Sequence, residues 1–492
     1  MSTSLRKPAA PPTLSGNTQR DGDMADTIDD QQTNPAPAGS LRELMHVAFP
    51  LVISAGSLSL MNVVDRIFLA QLSIDALAAA MPAAMLSWTS MSLAFGMAGY
   101  TNAFVSQYEG AGRKDRVAAA MWQGIFVALA GGISLLPMIL FAPEIFGLMG
   151  HAAHVQQLEI EYFSWLCPVA IPTLLSTVLT AFFTARKRTA VVMWVNIGTS
   201  LLNAAAAYSL IFGAGPMPGL GMKGAAIGTV LAQSLGAVCL AALMFRDGKR
   251  EGYRFRENFG FDLELIRRMI RFGVPNGIQM LLDVGSFTVF IALVGRLGTE
   301  DQAATNLAFT LNSLAFVPMI GMGTAVVTLV GHRVGERKPE LATRTVWIAF
   351  ALSGGYMLLF ALIYLSVPGV ILYPFMHGDE VALFEAMEPT VIMLLRYVAL
   401  YTFFDAMAII FGSAVRGAGD TMFSLIFTVV GGWLLMVAPT IWAIRNGYGL
   451  HGCWIAVSVT VIVMGLGFLF RFQQGHWKTM QVIEEDPLEG LP

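Results

Sequence analysis

Three carboxylates stand in stretches that carry almost no other charge: Asp65, Asp283 and Asp405. Asp283 shares a helical face with Asn276, Gln279 and Ser286, which are spaced by three and four residues. Asp405 follows Tyr397 and Tyr401 at i, i+4 and i+8, again on one face. Asp65 ends a stripe of Ser54, Ser57 and Met61, with Asn62 at its edge, and Asn196, Thr199 and Asn203 form another stripe. Polar stripes on apolar helices point into a cavity or a packed interface, not at lipid. An ionisable residue in such a setting is costly unless hydrated or paired, so it is a functional candidate, able to take a proton or a cation. An aromatic face attracts positive charge, so tyrosines beside Asp405 suit a cation. The Asn, Ser and Thr groups serve equally well as hydrogen bonds between helices. For the carboxylates the functional reading takes precedence, because an unpaired buried carboxylate holds helices together poorly. Arg66 adjoins Asp65, but neighbours on a helix do not face each other, and its long side chain is expected to snorkel outward.

The elements that must position these groups follow from composition. Of 492 residues, 55% are apolar and 13% charged, and the mean hydropathy is +0.63. An ordinary soluble domain is about 25% charged, so a soluble enzyme is excluded. A net charge of -3 gives no field that would draw in nucleic acid. Residues 1–40 are polar and Pro-rich with no apolar period, and are expected to be a disordered tail without a signal peptide. Twelve apolar spans follow, near 44–71, 80–106, 117–141, 160–184, 190–213, 221–245, 265–295, 303–331, 342–367, 388–414, 421–444 and 449–472. Each exceeds the ~20 residues that cross a bilayer as a helix. Helices are required because lipid satisfies no backbone polar group, and barrel strands would be shorter and alternating. Lys and Arg cluster in the tail and in the even-to-odd connections, whereas the opposite side holds only Lys223, Arg296 and Arg445. Both termini are therefore expected in the cytoplasm.

The chain also repeats itself. Placing Pro50 on Pro275 also places Leu72 on Leu297, Val105 on Val330 and Gly110 on Gly335. GLGMKGAA (219–226) resembles GYGLHGCW (447–454). The expected fold is an all-α membrane protein of two parallel-repeat six-helix bundles, related by a pseudo-twofold along the membrane normal, with a site between them. The expected domains are an N-lobe (41–245), a basic linker (246–262), a C-lobe (263–473) and a C-terminal tail (474–492).

Several segments resemble the multidrug and toxic compound extrusion (MATE) family, over nearly all of residues 41–472. They are Asp65 in NVVDRIFLAQL, QYEGAGRKD (107–115), VPMIGMGTAVVTLVGHRVGE (317–336) and GSAVRGAGDT (412–421). The resemblance, closest to the NorM-like branch, implies a V-shaped pair of bundles and cation-coupled export of organic, often cationic, compounds. It implies that Asp283 stands where many members carry a functional acid in the seventh helix. It also implies that Tyr401 and Asp405 match the YxxxD pattern linked to cation binding, with Asp283 and Asp405 a candidate Na⁺ site. Asp65 matches the first-helix acid of the N-lobe. Asn203 matches the first Asn of an NxxxN pattern whose second position is Ala207 here, a departure that puts an N-lobe cation site of that type in doubt.

The expected mechanism is antiport. Na⁺ or H⁺ neutralises Asp283, Asp405 or Asp65, a cationic substrate competes for the same acids, and the lobes rock between two states. Met and Phe residues along the spans could line an adaptable cavity. The expected site residues are thus Asp283, Asp405, Asp65, Tyr401, Asn203, Gln279 and Asn276, with no cofactor beyond the coupling ion, and a monomer in the inner membrane. The competing reading is a flippase for polyprenyl-linked or lipid substrates, which would need basic groups in the cavity, where the spans offer only Arg66 and Arg396. An intramembrane enzyme is disfavoured, since no His lies mid-span with a Ser or Cys partner. The glycines Gly219, Gly221 and Gly224 spell GxGxxG but lack a preceding strand, so a turn with close helix packing is expected. No GxxxxGK[ST] is present to bind ATP. Cys167, Cys239 and Cys453 lie far apart and form no metal or disulfide framework. RGAGD (416–420) joins Arg and Asp at an expected cytoplasmic helix junction and is read as a structural hinge with capping, a gating role being the alternative.

Overall fold

The computed structural model describes residues 37–213, 218–372 and 381–484. Nearly all of the expected N-terminal tail therefore lies outside the described residues. Twelve helices are long and apolar enough to cross a membrane: α1 (Leu41–Leu72), α2 (Ile74–Gly110), α3 (Lys114–Leu135), α4 (Ala153–Ala185), α5 (Thr189–Phe212), α6 (Met222–Glu251), α7 (Leu263–Val294), α8 (Thr299–Gly335), α9 (Pro339–Ser366), α10 (Met387–Ala418), α11 (Thr421–Arg445) and α12 (Gly449–Gln473). No strand occurs among the described residues.

Both lobes begin with a capped helix. The Glu43 N–H donates to Ser40 Oγ at 3.2 Å, and the Leu265 N–H donates to Asp262 Oδ1 at 3.0 Å. Each cap satisfies one of the amide donors that a helix start leaves orphaned. In the C-lobe, α10 is the central helix and packs on α8, α9 and α12. Its most apolar window is 67% buried, against 22% for the peripheral α5.

The lobes meet along α1, α2, α7 and α8, and the meeting obeys the sequence repeat. A Cβ at Gly96 of α2 would stand 2.7 Å from the Gly277 Cα of α7. At the repeat-equivalent place, a Cβ at Gly321 of α8 would stand 2.6 Å from the Val52 N of α1. Likewise Gly110 lies against the His332 backbone and Gly335 against that of Gln107. Small residues at these four points let the helix backbones touch across the pseudo-twofold.

The end of the bundle that carries most Lys and Arg is closed. Tyr100 Oη donates to the Arg416 carbonyl at 2.9 Å, Asn102 Nδ2 to Thr328 Oγ1 at 2.9 Å, and Gln107 Nε2 to the Gly417 carbonyl at 3.1 Å. Glu43 accepts from Lys187 of its own lobe at 2.7 Å and from Arg333 of the other. After α12 the chain crosses back to the N-lobe. The Val482 N–H donates to Gln107 Oε1 at 2.9 Å, and Glu484 accepts from Tyr108 at 2.6 Å, Arg113 at 2.7 Å and Arg116 at 2.8 Å. Burial alone would raise the Glu484 carboxyl, but the Tyr108 hydrogen bond and the two guanidinium charges hold it below the usual range.

Four features depart from a uniform set of spans. α3 stops at Leu135 ahead of Pro137, and a separate helix, Met138–Gly147, follows where the hydropathy had suggested one span to residue 141. α4 starts earlier than expected, at Ala153, and tightens into a 3-10 turn at Cys167–Val169 around Pro168. α6 continues through Glu251 and ends at left-handed Gly252, so the connection to α7 is non-helical only from residue 252 to 262. α11 contains a π-helix, Val430–Val437. The glycine triplets are turns, as expected, with left-handed φ of +57° at Gly221 and +56° at Gly449.

Candidate cation and substrate site in the central cavity

A cavity of about 740 Å³ lies between the lobes. That is the size of a pocket for a drug-sized ligand, ~300–1,000 Å³. Its N-lobe wall is polar but uncharged, with Thr173, Ser176, Thr177, Thr180 and Thr184 of α4, Asn196 of α5 and Gln233 of α6. Its C-lobe wall carries the charge: Asp283 of α7, and Asp405 and Arg416 of α10. Phe95, Phe287, Phe316, Met319, Met436 and Met464 supply adaptable apolar surface.

The structure therefore brings Asp405 of α10 to the same cavity as Asp283 and Gln279 of α7, although the two helices are far apart in sequence. Gln279 Nε2 donates to Thr428 Oγ1 of α11 at 3.1 Å, while its Oε1 is buried with no protein partner. The π-helix of α11 faces this point. Gly432 abuts Ser286, and Trp433 Nε1 donates to the Leu282 carbonyl at 3.3 Å. Irregular turns of this kind recur at functional sites.

Asn276, Tyr401, Asp65 and Asn203 lie elsewhere. Asn276 Nδ2 donates to the Gly96 carbonyl at 2.7 Å and ties α7 to α2 at the glycine contact. Tyr401 is buried in the C-lobe core with Phe290, Tyr364 and Trp454, about one helical turn before Asp405 on α10. Asp65 and Asn203 meet in the N-lobe: Asn203 Nδ2 donates to Asp65 Oδ1 at 2.7 Å, and Thr229 Oγ1 of α6 approaches Oδ2 at 3.5 Å. The Asn203 Oδ1 there is buried without a partner. Ala207, the departure from the NxxxN pattern, is fully buried against Gly228, where a Cβ would stand 2.9 Å from the Ala207 N. The missing Cβ of Gly228 is what lets the backbone at Ala207 come this close. The Ser54, Asn196 and Ser200 groups join α1 to α5: Asn196 Nδ2 donates to Ser54 Oγ at 2.6 Å and Ser200 Oγ to the Ser57 carbonyl at 3.0 Å.

Two groups had been given other places or none. Arg416, counted with the loop residues, belongs to α10 and lines the cavity, because the helix continues through Ala418. It stands eleven residues, three turns, after Asp405, a spacing that returns to the same helical face. Asp420 makes no side-chain cap on α11, and its carboxylate instead accepts from Arg471 Nε at 2.8 Å. The α4 stripe is spaced by three and four residues, so the rule that found the Asp283 stripe could have found it too. Among the described residues no group of three or more His, Cys, Asp or Glu is placed to hold a metal ion.

Comparison with known proteins agrees with this architecture. The family model for MatE matches residues 50–209 and 275–442, one segment in each lobe. A probable multidrug resistance protein NorM of Bradyrhizobium diazoefficiens is 28% identical over 439 residues, covering 88% of this chain and 92% of the relative. The multidrug resistance protein NorM of Burkholderia vietnamiensis is 26% identical over 439 residues, covering 89% and 94%. Among solved structures, an outward-facing multidrug resistance MATE family transporter of the MOP superfamily superposes with a TM-score of 0.80 at 21% identity, covering 89% of this chain and 97% of that one. A MOP superfamily transporter from Pyrococcus furiosus gives 0.79 at 22% identity, with the same coverage. These structures share the fold, and the match of the family model over both lobes shows that the chain belongs to the MatE family.

Proposed function

We propose that this chain is a secondary-active multidrug exporter, a transporter and not an enzyme, which moves organic, often cationic, compounds out of the cell in exchange for Na⁺ or H⁺. One observation carries the reading: Asp283 and Asp405, from two helices of one lobe, face a single drug-sized cavity whose opposite wall belongs to the other lobe. A carboxylate there can be neutralised by the coupling ion or by a cationic substrate, but not by both. That competition couples the two fluxes. Each ligand then shifts the balance between states by its differential affinity for them. The names of the relatives, multidrug resistance proteins, support the substrate class. The basic end, by the positive-inside rule, faces the cytoplasm of a plasma membrane, with both termini on that side. One chain builds the whole cavity, so a monomer suffices.

A lipid diphosphate flippase fits less well. Arg416 is the one cationic side chain on the cavity wall among the described residues, and two carboxylates share that wall.

The test is efflux of a fluorescent organic cation from drug-sensitive cells, under imposed Na⁺ and pH gradients applied separately. Wild type is expected to export the dye, Asp283→Asn and Asp405→Asn to lose more than tenfold of the rate, and the effective gradient names the ion. Loss confined to Asp65→Asn would move the coupling to the N-lobe. No efflux of any cation by folded, membrane-inserted protein would defeat the proposal.

A further inference from the structure

The connection from α6 to α7 is a fixed element, not a slack linker. Tyr253 and Phe255 are buried. Tyr253 Oη donates to the Glu109 carboxylate of α2 at 2.8 Å, and the Phe255 ring lies where a Cβ at Gly248 would stand 2.3 Å from it. α3 grips the same segment at three points. Trp122 Nε1 donates to the Phe255 carbonyl at 2.8 Å, Gln123 Nε2 donates to the Gly260 carbonyl at 2.9 Å, and the Asp262 N–H donates to Gln123 Oε1 at 3.4 Å.

Between these ties two phenylalanines are held outside the fold, Phe259 62% and Phe261 66% exposed. Phe259 stands edge-on to Trp122 with 4.7 Å between centroids, and Phe261 stacks on Phe126 at 5.9 Å. Phe245 of α6, also exposed, is 5.9 Å from Trp122. None of these rings lines the cavity. Trp122 lies about 12 Å of helix rise from the start of α3 at Lys114. The cluster thus sits just inside the basic end, at the depth where hydrocarbon gives way to headgroups and aromatic side chains gather.

The charge beside the rings is one-sided. Lys249 and Arg250 end α6, and Arg254 and Arg256 alternate with the buried Tyr253 and Phe255, so both arginines point outward. The nearby acids are engaged by other elements: Asp247 by Arg188 at 2.9 Å, Glu251 by Arg186 and Asp262 by Arg116 at 2.8 Å. The carboxylate beside Arg254 is that of Glu257, at 3.6 Å. Lys249, Arg250 and Arg256 have no ion-pair partner among the described residues. Water alone gives no reason to fix two phenyl rings outside the fold. Acyl chains do, and lipid phosphates give the unpaired cations their partners.

We infer that residues 252–263, with the ends of α3 and α6, form a binding surface for acidic phospholipids of the leaflet at the basic end. Phe245, Phe259 and Phe261 enter the acyl chains, and Lys249, Arg250, Arg254 and Arg256 take the phosphates. The surface touches both lobes, since Asp262 accepts from Arg116 of α3 and caps α7. The inference is independent of what the cavity carries.

The experiment places a bimane fluorophore at Gly260→Cys, where a Cβ meets nothing within 4 Å, in full-length protein carrying Cys239→Ser. The protein is held in phosphatidylcholine nanodiscs with equal fractions of either bromine-labelled phosphatidylglycerol or bromine-labelled phosphatidylcholine. Bromine quenches on contact. Brominated phosphatidylglycerol is expected to quench about twofold more than brominated phosphatidylcholine, and strong salt to shrink the difference. Lys249→Gln, Arg250→Gln and Arg256→Gln together are expected to abolish the preference while leaving quenching by phosphatidylcholine unchanged. Phe259→Ser with Phe261→Ser is expected to lower quenching by both lipids about twofold. Equal quenching of the parent protein by the two lipids overturns the acidic-lipid assignment. A preference that survives both strong salt and the triple replacement does the same, because it then arises elsewhere. No quenching by either lipid overturns the surface altogether and leaves the face to a soluble partner. Thermal unfolding in the same nanodiscs separates a lost contact from a lost fold, and the salt series on the parent protein needs no further variant.

Discussion

Asp65 and Asp283 meet the cost of a carboxylate inside a membrane in different ways. Asp65 is buried and is given partners by its own lobe, Asn203 and Thr229. Asp283 faces the shared cavity, where its partners can be solutes. The first arrangement depends on α5 and α6 approaching closely; Gly228, with no Cβ, permits that approach, and Ala207 beside it is fully buried. Ala207→Asn, which would restore the family pattern, is therefore expected to overpack the contact and cost about 1–3 kcal/mol. Thermal unfolding of the purified protein measures it, and a variant as stable as wild type would remove the packing reason for the alanine. The acids and their stripes were legible in the sequence because charge in an apolar run is conspicuous. The roles of their neighbours were not. Asn276 and Gln279 share a stripe, yet one bonds a backbone carbonyl of α2 and the other faces the cavity. Only the depth at which α2 crosses α7 decides between those roles. Arg416 was hidden for a simpler reason, since an arginine near a glycine-rich span end reads as a loop residue until the helix is seen to continue past it.

At the level of elements, hydropathy located every span but could not see where one stops for reasons other than polarity. Pro137 ends α3 inside an unbroken apolar run, so the separate helix Met138–Gly147 was invisible to it. The π-helix of α11 is a tertiary feature, set by Gly431 against Met464, Gly432 against Ser286 and Trp433 bonding α7. The segment after α12 is another such feature. It belongs in sequence to the C-lobe but is fastened to α2 and α3 through Gln107, Tyr108, Arg113 and Arg116. It should stabilise the state in which the basic end is closed. The Glu484 carboxyl is held below its ordinary value, so its contribution is complete above about pH 4.3 and is lost as pH falls through the lower, folded value. Spin labels at Lys114 and Thr479 are expected to give one narrow distance distribution from pH 8 to 5, which broadens in stronger acid. Glu484→Gln is expected to broaden it at every pH. A distribution in that variant indistinguishable from wild type would show that the carboxylate does not hold the segment.

For the molecule as a whole, transport requires the closed end to open. The contacts that close it lie on the pseudo-twofold pairs α1–α8 and α2–α7, and on the side-chain bonds between α2 and α8. The glycine contacts make the lobes fit tightly through backbone approach, and one directional bond lies beside them, Asn276 Nδ2 to the Gly96 carbonyl at 2.7 Å. Asn102 and Thr328 bond through side chains alone: Nδ2 donates to Oγ1 at 2.9 Å across the lobe boundary, and Thr184 Oγ1 donates to the same asparagine's Oδ1 at 2.8 Å. That site tests alternation directly. Asn102→Cys with Thr328→Cys would set two thiols at the point of closure. The exposed Cys239 is first replaced by serine, while Cys167 and Cys453 are buried and can stay. Oxidation is expected to join the pair, reduce efflux by more than tenfold and leave dye binding to the cavity intact, and reduction is expected to restore transport. The serine pair Asn102→Ser with Thr328→Ser serves as the control, since it removes the native bond but cannot be joined. Undiminished efflux from protein shown to be crosslinked would mean that the basic end never opens during the cycle. The substrate would then have to pass the cavity by another route, and alternating access between these two lobes would be the wrong description.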